Sequence, residues 1–122
     1  MKRCRVKVIT NFDNIKEIHY FNAIKSDNVI KYIDFTKEKM LIDLDNNIFV
    51  RENDECRYII DFKKNNIQID VKSLKKMTNK GMKTLNIEKN KNSFLVKYQL
   101  IDENIINEYY IEYEKVDDYE RN

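Results

Sequence analysis

Two stretches toward the end of the chain restrict its fold more than anything else in it. Phe94, Val96, Tyr98 and Leu100 fall on one parity, and after a polar connector Tyr109, Ile111 and Tyr113 do the same. A period of two buries one face of an extended strand and wets the other, so this pattern predicts two β-strands joined as a hairpin.

The same alternation recurs along the chain. Cys4, Val6 and Val8 alternate with Arg3, Arg5 and Lys7, giving a first strand with an apolar and a basic face. From Ile15 to Ile24 the pattern is mixed. Ile18 and Tyr20 alternate with His19 and Phe21, while Ile15, Ile18 and Asn22 also suit a helix, and the strand reading is preferred. Val29 to Phe35, Met40 to Leu44, Ile48 to Arg51, Cys56 to Phe62 and Ile67 to Val71 read as further strands, rich in β-branched and aromatic residues. From Ser73 to Met82 the spacing of Val71, Leu74 and Met77 is closer to three, which leaves a loop, a short helical turn or an irregular strand open there. Leu85 and Ile87 suggest a short strand before the closing hairpin.

With one glycine and no proline, the turns have to be made by other residues. Asparagine and aspartate tolerate positive φ best after glycine. They fall between the strand patterns at Asp13-Asn14, Asp27-Asn28, Asn46-Asn47, Asn53-Asp54, Asn65-Asn66 and around residues 90 to 92. Regular punctuation without helical crossovers argues for an antiparallel, up-and-down order. Some eight to ten short strands in a single domain of 122 residues must close on themselves or stack as two sheets, because open edges invite aggregation. The expectation is an all-β chain forming a closed or nearly closed barrel.

Composition narrows location more than function. The hydrophobic share of 42% and charged share of 36% suit a soluble domain. The amino terminus alternates charge with apolar residues and has no unbroken apolar core of a secretion signal, and no run is long enough to span a bilayer. Cys4 and Cys56 sit in strand patterns and read as structural thiols. A reducing, cytoplasmic location is expected. The net charge of +2 names no partner, and since most of the positive charge is lysine, with Arg3, Arg5, Arg51, Arg57 and Arg121 as the guanidinium groups, a general phosphate-reading surface is not indicated.

The closing hairpin, Asn92-Ser-Phe-Leu-Val-Lys-Tyr98-Gln-Leu100 followed by Tyr110-Ile-Glu-Tyr113, resembles the ending of the YwiB-like family of small bacterial proteins. Ile48-Phe49-Val50-Arg51 before a turn is similar to that family's apolar strand ending in arginine, and Val29 to Phe35 to its strand of aromatic and acidic character. Where the family tends to place glycine after the arginine, this chain has Asn53-Asp54, and residues 72 to 88 follow the family poorly. The resemblance implies a calycin-like or lipocalin-like antiparallel barrel and brings no activity with it.

Candidate chemistry is sparse. His19 is the one histidine, placed outward if Ile18 and Tyr20 face the core, and it lacks the orienting partner and nucleophile of a catalytic site. No catalytic constellation, metal site or cofactor is expected, and the chain does not read as an enzyme. Arg51 shares parity with Phe49 and so points toward the barrel mouth or interior. Either it closes an internal ion pair with Asp61 or Glu52, or it anchors a ligand carboxylate or phosphate together with Tyr58 and Tyr98. A small, partly apolar ligand inside the barrel is the first functional expectation. The alternative is an interaction module that binds nucleic acid or an acidic protein through Lys72, Lys75, Lys76, Lys80, Lys83, Lys89 and Lys91, which have Glu88 as the one acid among them. No membrane partner is expected, and the oligomeric state stays open.

Charge also predicts how the barrel shuts. Arg3, Arg5 and Lys7 form the outer parity of the first strand, and Glu108, Glu112 and Glu114 that of the last. The two should pair antiparallel, basic ladder against acidic, with Cys4, Val6 and Val8 buried beside Tyr109, Ile111 and Tyr113.

Overall fold

The computed structural model describes residues 2–101 and 103–115, which form a closed antiparallel barrel of ten strands. Arg121 lies outside the described residues. In chain order the strands are β1 (Lys2–Phe12), β2 (Ile15–Ser26), β3 (Val29–Ile33), β4 (Lys39–Asp43), β5 (Ile48–Glu52), β6 (Cys56–Asp61), β7 (Asn66–Val71), β8 (Lys76–Asn90), β9 (Ser93–Leu100) and β10 (Ile106–Lys115). Each strand pairs with the next, and β1 shuts the ring against β10. Closure gives every strand a neighbour on both sides and leaves only partial open edges.

The closing ladder has the expected sense. Arg5 stands opposite Glu114, Lys7 opposite Glu112 and Asn11 opposite Glu108, while Val6 faces Tyr113 and Val8 faces Ile111 on the inner side. Burial supplies most of the stability here, and the exposed charges discriminate between registers.

Asparagine and aspartate make most of the turns. Asp13, Asn14, Asp27, Asn47 and Asn65 take φ between 52° and 65°. Asn53 works differently, its Oδ1 accepting the backbone N–H groups of Glu55 and Cys56 at 2.8 Å, an Asx turn that needs no left-handed residue. Lys37 and Lys75 also adopt positive φ, at 68° and 47°. Lys75 ends the short 3-10 turn Lys72–Leu74, which accounts for the threefold spacing of that region. The chain then enters β8, the longest strand, of which the expected short strand at Leu85 and Ile87 is the far part. A register shift between Thr84 and Asn86 bulges Leu85 outward.

Aromatic side chains fill the barrel axis. The Phe49 ring lies 5.1 Å from Phe62, 5.5 Å from Phe94 and 4.7 Å from Tyr109, centroid to centroid. Ile30, Ile42, Val6, Val96 and Ile111 close the core around them. Deeper toward one mouth the hydroxyls of Tyr32 and Tyr109 hydrogen-bond to each other. Burial pushes the Tyr32 hydroxyl up to about 12 and raises that of Tyr109 well above its ordinary value.

One expectation is reversed in β2. The two-residue turn Asp13-Asn14 sets Phe12 opposite Ile15, and counting back along the ladder brings Val8 to His19, Val6 to Phe21 and Cys4 to Ala23. His19, Phe21 and Ala23 therefore face inward, and Ile18, Tyr20 and Ile24 face out. Hairpin geometry overrides side-chain hydropathy, because with this pairing an inward Ile18, Tyr20 and Ile24 would bring Ile9, Lys7 and Arg3 in with them and put Cys4, Val6 and Val8 into solvent.

A second feature of β2 shapes the wall. It pairs with β1 from Ile15 to Lys25, but with β3 only from Ala23 to Ser26. Beyond Tyr32 and Ile33 the chain leaves for β4, and the wall between β2 and β3 parts.

Candidate binding cleft on the barrel wall

The residues singled out from the sequence do meet. Arg51, Tyr58 and Tyr98 project inward near the mouth formed by the β3–β4 and β5–β6 connections, with the Arg51 guanidinium 5.7 Å from the Tyr58 ring centre. Tyr98 packs on Phe62 at 5.4 Å, and burial raises its hydroxyl pKa. Arg51 is already engaged. Its Nε donates to Glu38 Oε2 at 2.9 Å, making an ion pair with Glu38 in place of the anticipated Asp61 or Glu52.

Glu38 is buried and well satisfied. Asn53 Nδ2 also donates to its Oε2 at 3.1 Å, and Thr36 Oγ1 to Oε1 at 3.2 Å. The Arg51 hydrogen bond holds the Glu38 carboxyl below the usual range, against the opposing effect of burial. A ligand anion at this mouth would have to displace a carboxylate that is held by three donors. His19 lies at the same end, its ring 4.6 Å from Phe35 and its Nε2 3.4 Å from Glu17 Oε2.

The lysines of the 72–91 segment do not form one surface. β8 extends for roughly 50 Å at about 3.3 Å per residue, and its alternation sends successive residues to opposite sides. Lys72 is tied to Glu52 at 2.8 Å and to the Asn53 carbonyl at 2.8 Å, while Lys89 at the far end donates to the Leu44 carbonyl at 2.6 Å.

The sequence reading missed a cleft of about 1060 Å³ on the outer wall where β2 and β3 part. Two cross-strand rows build it. The first runs Arg3, Ile24, Lys31, Leu41, Val50 across β1 to β5. The second holds Arg5 and Asn22 on one side of the parting and Ile33, Lys39, Glu52 and Arg57 on the other. Register alone thus gathers arginines and lysines that lie far apart in the chain. Tyr20, 64% exposed, stands at the upper edge.

Its electrostatics are one-sided. Arg3, Arg5, Lys31, Lys39 and Arg57 line the cleft and, among the described residues, none of them forms an ion pair. The single carboxylate in the wall, Glu52, is neutralised by Lys72, whose hydrogen bond holds its pKa down. Between the cations lies an apolar floor of Ile24, Ile33, Leu41 and Val50. Low-dielectric walls focus the field of such charges and attract anions. No family model, no curated protein and no solved structure matches the chain.

Proposed function

We propose that this protein is a binding module, not an enzyme, and that it holds an anionic, partly apolar partner in the outer cleft. The observation that carries this is a set of five cations, none of them in an ion pair among the described residues, around an apolar floor. Guanidinium and ammonium groups would take the anion, and the floor would take the apolar part. A ligand in the barrel lumen suits the molecule less well, since Phe49 and its neighbours occupy the axis and Glu38 occupies Arg51. The resemblance to the YwiB-like family, and with it a calycin-like affiliation, belongs to this reading, as does a reducing, cytoplasmic setting for the free thiols Cys4 and Cys56.

Anilinonaphthalene sulfonate, an aromatic anion, tests the proposal. Its emission should rise with the wild-type protein and fall in Arg5→Glu and Lys39→Glu variants that circular dichroism shows to be folded at the assay temperature. Equal emission from all three would overturn it. Single-stranded nucleic acid is the competing anionic partner, favoured by the exposed ring of Tyr20, which stands opposite Lys7 in the β1–β2 ladder. Binding of a thymidine oligomer that weakens steeply with salt and is lost in Tyr20→Ala would support that partner instead.

A further inference from the structure

The cleft opens beside a stretch of strand that is paired on one side only. β2 from Ile15 to Asn22 has β1 on one side and, among the described residues, no strand on the other. In a two-residue hairpin the residues flanking the turn, Phe12 and Ile15, exchange both backbone hydrogen bonds, and hydrogen-bonded pairs then alternate along the ladder. Ile15, Glu17, His19 and Phe21 consequently spend their amides on β1. Lys16, Ile18, Tyr20 and Asn22 turn theirs to the open side, in phase with Ile24, which meets Lys31 of β3.

This edge carries little of the usual protection. It has no proline and no register shift, and Lys16 is the one lysine along it. Instead Ile18 and Tyr20, 48% and 64% exposed, offer a β-branched and an aromatic partner to an adjoining strand.

Resting on the anionic-partner reading of the cleft, we infer that the partner is an extended acidic peptide segment that pairs with the free edge of β2. It takes the track that β3 vacates after Ile33. Running antiparallel to β2, its amino-terminal part lies over the cleft between Arg5 and Lys39, and its carboxy-terminal part runs along Asn22, Tyr20, Ile18 and Lys16. Carboxylates are therefore wanted first and alternating β-formers after them. Main-chain hydrogen bonds give affinity in such strand addition, and side-chain sites give specificity. A nucleic-acid backbone offers phosphate acceptors to those amides but no N–H donors to the carbonyls between them. A second copy pairing antiparallel through the same edge would lay its Ile15 end over the cleft, with Glu17 as the one carboxylate beside Lys16, and so bring no acidic cluster to the five cations.

The probe is the capped peptide acetyl-Glu-Glu-Asp-Ile-Thr-Val-Thr-Val-amide, labelled for anisotropy, beside a version N-methylated on the backbone nitrogens that would face β2. The unmodified peptide should bind at least about tenfold more tightly than the methylated one, and Arg5→Glu should weaken it by about tenfold. Amide exchange at Lys16, Ile18, Tyr20 and Asn22 should slow on binding while Glu17 and His19 change little. Equal binding of the two peptides with no slowing of exchange would overturn the edge pairing. If Arg5→Glu still weakens both, the cleft reading survives. Failure of both peptides while the sulfonate dye still reports Arg5 and Lys39 overturns the peptide and leaves the cleft; failure of peptides and dye together overturns both. Concentration-dependent dimers that protect the same amides without peptide would assign the edge to a second copy, and tighter binding of the thymidine oligomer than of the peptide would assign the cleft to nucleic acid.

Discussion

Removing the Glu38 side chain should expose how much one buried carboxylate does for the β3–β4 mouth. Glu38 is 11% exposed and accepts from Arg51, Asn53 and Thr36, so it joins its own loop to β5 and to the turn that follows. A hydrogen bond to a charged group contributes about 1.5 to 3 kcal/mol when both partners are buried. Arg51 is 50% exposed and regains water when its partner leaves, which places its share at the low end. With smaller contributions from Asn53 and Thr36, Glu38→Ala should cost about 2 to 3 kcal/mol. At this chain length that lowers Tm by roughly 6 to 15 °C. The pH dependence has a definite sign. The folded-state pKa lies below the unfolded carboxylate value of about 4.3, so the stabilisation is complete above that value and drains away as pH falls through the lower folded one. Urea melts followed by tyrosine fluorescence at neutral pH and near pH 3 should therefore show the gap between wild type and Glu38→Ala narrowing in acid. A cost under about 0.5 kcal/mol at neutral pH, or a gap that acid leaves unchanged, would refute this reasoning.

Three further outcomes follow from the fold. Arg5→Glu should destabilise by about 0.2 to 1 kcal/mol and Glu114→Arg should restore the loss, as judged by a double-mutant cycle in urea. Phe49→Ala, which empties the centre of the aromatic cluster, should cost about 3 to 5 kcal/mol by the same melts. Gly81→Ala should raise stability by about 0.4 to 1 kcal/mol, because Gly81 does not use positive φ. The added methyl would meet only the Ile101 side-chain tip at 2.5 Å, which is on the surface and free to turn, and a fall in Tm would show that it cannot.

The barrel and its closure were legible because they rest on period and sign. Arg5 and Lys7 against Glu114 and Glu112 need only alternation to be found, and the asparagine turns need only the shortage of glycine. The facing of β2 was misread because Ile18, Tyr20, Phe21 and Ile24 make both parities apolar, and hydropathy cannot choose between them. The signal was present in the turn. A two-residue Asp13-Asn14 loop makes Val8 face His19 by counting. Glu38 as the partner of Arg51 depends on the left-handed Lys37 that swings the β3–β4 connection inward, and no local pattern announces it. The cleft was hidden for a more general reason. Arg3, Lys31 and Arg57 become neighbours only through a register that runs across six strands, and the parting between β2 and β3 arises where a ladder stops.

The pairing of β1 with β10 also sets the order in which the molecule can be made. Cys4 meets Lys115 and Phe12 meets Asn107, partners about a hundred positions apart in the chain. During synthesis the β1–β2 hairpin emerges early, with the inner faces of Val6 and Val8 uncovered, and must wait until the ribosome has released β10. Every intermediate before that moment is an open sheet with two unpaired edges, one of them basic. Such a topology folds slowly for its size and is vulnerable to aggregation until the last ladder zips, so the charge ladder matters most in the nascent chain, where it draws the two ends together through water before burial can begin.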